Sequence, residues 1–168
     1  MSYVSPRLFR CRTGRLTLHL VAALACIVLA AHASPAQRTK LAPADDNQPV
    51  FSDFKGVRIG MTADEARKKL GSPRTKSAEE DFYVFNDTQA VQVCYDKGGT
   101  VTTISIDFMS GASAIPAAKD VLGTEADTRA DGSAYKMMRY PKAGYWVSYS
   151  RTAGKEATTT IMIQKIEH

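Results

Sequence analysis

The side chains that most often do chemistry at neutral pH are scarce and badly placed here. Among 168 residues there are three histidines and three cysteines. His19 and His32 lie in an apolar N-terminal region, and His168 is the last residue. Cys11 and Cys26 share that N-terminal region, which leaves Cys94 as the one thiol in the body of the sequence. A nucleophilic thiol or hydroxyl needs a base held beside it, and no histidine is placed to serve. Cys94 therefore reads as a small strand residue. Glu79-Glu80-Asp81 is a carboxylate cluster. Three consecutive acids make a solvated surface, whereas general acid–base catalysis needs carboxylates facing each other across a cleft. Asn86-Asp87 and Asp131-Gly132 read as turns rather than cation sites, and no glycine-rich phosphate loop precedes a helix. These residues point to a protein that is not an enzyme and imply neither cofactor nor metal.

The N-terminal region is an address instead. Arg7, Arg10, Arg12 and Arg15 precede an apolar run from Leu16 to Ala31, and Ala31-His32-Ala33 places small residues where a signal peptidase reads. This predicts a signal peptide over 1–33, a mature start at Ser34, and a periplasmic or secreted protein. The run falls short of the roughly 20 residues that span a bilayer, so no stable membrane span is expected after cleavage; retention as an anchor is the alternative. The chain has 22 basic and 17 acidic residues. Without the four signal arginines the balance is 18 to 17, too even for a nucleic-acid partner. Residues 34–52, rich in Pro, Ala, Asp and Gln without apolar periodicity, read as a flexible linker.

The folded part opens on a helix with both ends marked. Thr62 and Glu65 form a capping box, Asp64 and Glu65 face the positive end of the helix dipole, and Arg67, Lys68 and Lys69 face the negative end. Gly71 and Pro73 stop it. Strands follow at Phe82–Phe85, Val91–Tyr95 and Val101–Phe108, with turns at Asn86-Asp87-Thr88 and Asp96-Lys97-Gly98-Gly99. The plan then repeats. A helix over Ile115–Leu122 ends in Leu122-Gly123, an echo of Leu70-Gly71; Tyr135 echoes Tyr83; Tyr145–Tyr149 echoes Val91–Tyr95; and Ile161-Met162-Ile163 echoes Ile104-Ser105-Ile106.

Ile59-Gly60-Met61-Thr62, Glu65, Leu70-Gly71 and Pro73, followed by Val91, Val93, Tyr95, Lys97-Gly98, Val101 and Ile104, resemble the helix and hairpin of the BamE/SmpA-type outer-membrane assembly proteins. An exported tandem of such units resembles the β-lactamase inhibitor protein (BLIP-like) architecture. The chain departs from both: it has no acylated cysteine near Ala33 and only Cys94 for disulfides. The expected fold is α+β, with two tandem helix-plus-antiparallel-sheet units at 53–110 and 111–168, each a helix and three strands.

Alternation then divides the strands. If Val91, Val93 and Tyr95 pack on the helices, Gln92 and Cys94 face away; by the same rule Tyr145, Val147 and Tyr149 are inward, and Trp146 and Ser148 outward. Thr103, Ser105, Thr160 and Met162 join that outer face. Trp146 stands where the first half has Gln92, an exchange that a core position would rarely tolerate. These eight residues form the expected protein-binding face, and the partner would be another envelope or secreted protein. The role would be that of a scaffold, inhibitor or immunity partner. The alternatives are a small-ligand or envelope-lipid binding protein using the seam between the units, or a hydrolase with an unrecognised site.

Overall fold

A computed structural model describes residues 48–167; the expected signal peptide, the linker up to residue 47, and His168 lie outside the described residues. The chain runs α1 (Ala63–Leu70), β1 (Thr75–Lys76), β2 (Glu80–Asn86), β3 (Gln89–Tyr95), β4 (Val101–Phe108), α2 (Ala118–Leu122), β5 (Asp127–Thr128), β6 (Ala134–Tyr140), β7 (Tyr145–Arg151) and β8 (Thr159–Lys165). All eight strands form one antiparallel sheet in the order β1-β2-β3-β4-β8-β7-β6-β5.

This corrects the expected α+β tandem of two helix-plus-sheet units: the described residues form mostly a single sheet with two short helices. β4 and β8 pair from Thr103↔Gln164 to Phe108↔Thr159, so the halves share a sheet without a break. The inward side chains across that pairing include Ile104, Ile106, Ile161 and Ile163, each 0% exposed, with Phe108 and Thr159 buried beyond them. Burying an isoleucine side chain is worth roughly 1.5–3 kcal/mol. The quartet therefore joins the halves in one apolar core. The helices are small parts of this layer. α1 has eight residues and α2 five, not the eight expected over Ile115–Leu122. Ile115 is exposed, and Ala117 has no side chain to cap α2, although Asp120 Oδ2 accepts from Ala117 N at 3.3 Å.

Local chemistry shapes the pieces. Thr62 Oγ1 accepts from Glu65 N at 3.3 Å and Glu65 Oε2 accepts from Thr62 N at 2.9 Å, completing the capping box. Gly71 closes α1 at φ 86°, a backbone that side chains with a Cβ rarely adopt. Asp96 Oδ1 accepts from Gly98 N and Thr100 N, both at 2.9 Å, and shapes the β3–β4 turn.

Both helices pack on one face of the sheet. Ala66 of α1 and Ala118, Val121 and Leu122 of α2 join the inward residues Val91, Val93, Tyr95, Ile104, Val147 and Ile163 in one apolar core. Phe51, Phe54, Ile59 and Met61 cover its margin. The echo between the halves also needs adjusting. With Val93 aligned on Val147, Tyr83 (opposite Val91) corresponds to Tyr140 (opposite Tyr145), both 2% exposed, whereas Tyr135 is 49% exposed. Ile104, opposite Val93, likewise corresponds to Ile163, opposite Val147, rather than to Ile161.

Candidate functional site

The register gathers all eight expected binding residues onto the face away from the helices. One row across the strands reads Phe82, Gln92, Ser105, Met162, Ser148 and Met137. A second reads Glu80, Cys94, Thr103, Gln164, Trp146 and Arg139. A third reads Val84, Ala90, Asp107, Thr160, Ser150 and Tyr135. Strict alternation in antiparallel strands makes these rows continuous. Within them the eight residues differ in reach. Cys94, Ser105 and Ser148 are buried and form the floor. Gln92, Thr103, Thr160, Met162 and Trp146 are partly exposed and form the accessible surface.

Three of the most exposed apolar side chains, Val84, Tyr135 and Met137, belong to the same face and were not among the expected residues. Their signal was faint, because β2 and β6 lack the clean alternation of β3 and β7. Asp107 also lies on this face and was not among the expected residues. It sits in a central strand, and its Oδ1 accepts from Thr160 Oγ1 at 2.6 Å. Burial raises its carboxyl above the usual range, and the Thr160 bond offsets only part of that. Among the described residues no cation pairs with it. Glu80, by contrast, accepts from Gln92 Nε2 at 2.8 Å.

The acidic run Glu79-Glu80-Asp81 splits three ways, which sequence reasoning missed. Glu79 is exposed, Glu80 lies on the outer face, and Asp81 is 0% exposed on the inward face. Asp81 Oδ2 accepts from Arg67 Nε and Tyr95 OH, each at 2.7 Å, and from Tyr83 OH at 3.3 Å; Oδ1 accepts from Arg67 Nη2 at 3.1 Å. Burial alone would raise the Asp81 carboxyl, but the bonds from Arg67 and the tyrosines outweigh it and hold it below the usual range. Burial, reinforced by the neighbouring Asp81 charge, pushes the Tyr83 hydroxyl up to about 12 and the Tyr95 hydroxyl higher still. No buried side-chain nitrogen or oxygen among the described residues lacks a partner, so the network is closed. It ties α1 to the sheet rather than poising a proton for transfer. The signal was present in the period-two series Asp81, Tyr83, Phe85, which puts Asp81 on the face of a core tyrosine.

Two clefts flank α1. One of about 660 Å³ is lined by Arg67, Lys76, Ser77, Lys97 and the Gly98-Gly99 backbone, among others, and by no acidic residue. The other, about 510 Å³, lies beside Leu70, Arg74, Tyr83 and Phe85. Asn86 Oδ1 accepts from Thr88 N and Asp131 Oδ1 from Ser133 N, both at 2.9 Å, so both acts are those of turns. Among the described residues no group of three or more His, Cys, Asp or Glu side chains could hold a metal ion. No helix among them is long and apolar enough to cross a membrane. The chain was compared with protein-family models, curated proteins and solved structures, and none of them matches.

Proposed function

We propose that the protein is an exported, non-catalytic protein-binding module of the cell envelope, acting as a scaffold, inhibitor or immunity-type partner through the open face of its sheet. One observation carries the reading. Both helices pack on the inward face, while the outer face presents Trp146, Met162 and Phe82 together with exposed Val84, Tyr135 and Met137 over a floor of Ser105 and Ser148. Large apolar side chains set among small polar ones give contact area at low entropic cost and suit a protein partner. The signal-like segment at 1–33 and the resemblance of Ile59–Pro73 to envelope assembly proteins support the envelope setting.

The test is Trp146→Ala. The variant keeps folding stability within about 1 kcal/mol of wild type in urea melts and loses about 2 kcal/mol or more of affinity for a periplasmic protein captured by wild type. A large stability loss makes Trp146 structural, and unchanged affinity moves the docking face elsewhere.

A further inference from the structure

The two edges of the sheet are not equivalent, and one is built to receive a further strand. β5 covers β6 only at Asp127↔Tyr135 and Thr128↔Ala134. Arg129 N donates to Ser133 O at 2.8 Å, so Ser133 directs its backbone groups towards β5. These groups alternate sides along a strand, so Tyr135, Met137 and Arg139 direct theirs the same way. Tyr135 meets Asp127, but among the described residues no strand lies opposite Met137 and Arg139. β6 keeps an unbroken seven-pair register with β7, so no bulge interrupts this strand. The opposite edge is blunted. The β2–β3 register shifts between Val84 and Asn86, and Phe85 beyond β1 is packed edge-on by Phe54 with Lys55 over its ring. Bulges and covering segments of this kind are how sheets close their edges.

We infer that the β6 edge from Lys136 to Tyr140 binds an extended acidic segment of a partner protein by β-strand addition, independently of the outer-face reading. Charge selects the occupant. Lys136 and Arg139 lie on this strand and Lys142 in the turn that follows it; of these three, only Lys136 has an ion-pair partner among the described residues, Asp127 at 3.5 Å. An added strand would lie roughly 4.8 Å away. Its side chains would fall beside Met137 and Arg139 on one face and beside Lys136, Met138 and Tyr140 on the other. Acids beside the two cations and apolar groups beside the methionines would complement both rows. The same cations disfavour pairing with a second copy of this edge.

The test is selection of random short peptides against the purified protein. The expected binders alternate acidic with apolar or β-branched residues, weaken with salt, and shift the amide resonances of Met137–Arg139. Met137→Pro removes an outward-facing N–H and leaves the β6–β7 ladder intact, which an edge strand tolerates. It weakens binding about tenfold or more, as does Arg139→Glu, while Trp146→Ala does not. If Met137→Pro fails to fold, Arg139→Glu with a normal melt carries the test. Binders without acidic bias, indifference to the edge variants, shifts confined to the Trp146–Met162 surface, or no binder above a bare support would overturn the inference. A dimer broken by Met137→Pro would overturn it in favour of self-pairing.

Discussion

The two halves of the sheet solve the same packing problem with opposite chemistry. With Val93 aligned on Val147, Asp81 of β2 corresponds to Met138 of β6. The first half therefore has a buried carboxylate held by Arg67, Tyr83 and Tyr95, and the second has an apolar side chain packed against the core opposite Val147. The helices differ in step. α1 supplies the arginine, has a full capping box and runs eight residues; α2 has only the Asp120 half of one, because Ala117 offers no capping side chain, and runs five, docked through Ala118, Val121 and Leu122. An ion pair fixes position strongly but costs about as much desolvation as it returns. Apolar packing contributes without that cost but sets position less sharply. The polar half anchors a longer helix by one point; the apolar half anchors a shorter helix by area.

Removing one partner of the buried network should have the largest effect. Asp81→Ala strands Arg67 and two tyrosine hydroxyls and is expected to cost about 3–5 kcal/mol in denaturant melts. Met138→Ala in the other half should cost about 2 kcal/mol or less, because Met138 is only partly buried. The combination Asp81→Met with Arg67→Leu, which makes the first half resemble the second, should recover much of the loss. No recovery would mean that the ion pair itself is needed to seat α1.

α1 offers the next contrast. Its buried residue is Ala66, with Leu70 only partly buried against the core, so Leu70→Ala is expected to cost about 2 kcal/mol, the low end for such truncations. Thr62→Ala should cost about 1 kcal/mol. Ala117→Thr supplies the missing cap of α2, at a residue already extended (φ −72°, ψ 154°), and should stabilise by up to about 1 kcal/mol. Equal and opposite shifts in the two melts would make capping the main difference between the helices' ends.

The smallest effects are titrations, and they run in opposite directions on the two faces. The folded Asp81 carboxyl lies below its unfolded value, so its contribution is present above the ordinary carboxylate range and is lost as pH falls through the folded value. The Asp107 carboxyl is raised in the fold, so its sign reverses: stability is highest below the unfolded value and declines as pH rises through the folded one. Asp107→Asn should match wild type in acid and exceed it near neutrality. A variant with the wild-type pH profile would show that burial on the outer face does not perturb Asp107.

What sequence alone determined was whatever is decided within a few residues. The capping box of Thr62 and Glu65, the Asn86, Asp96 and Asp131 turns, and the inward and outward sets of β3 and β7 follow from side chains bonding nearby backbone or from period-two alternation. The gathering of Gln92, Ser105, Met162 and Ser148 into one row needed only that alternation and the correct pairing. The pairing itself was decided by tertiary structure. Ile104 and Ile163 lie far apart in the chain, and no local preference tells β4 to accept β8 rather than end a separate unit. Burial of the four isoleucines makes that choice. The same holds for Asp81: in sequence it is the last of three exposed-looking acids, and only packing α1 across the sheet brings Arg67 within 2.7 Å of it. A charge can be buried there because its partner arrives from another element, and a linear reading does not show that arrival.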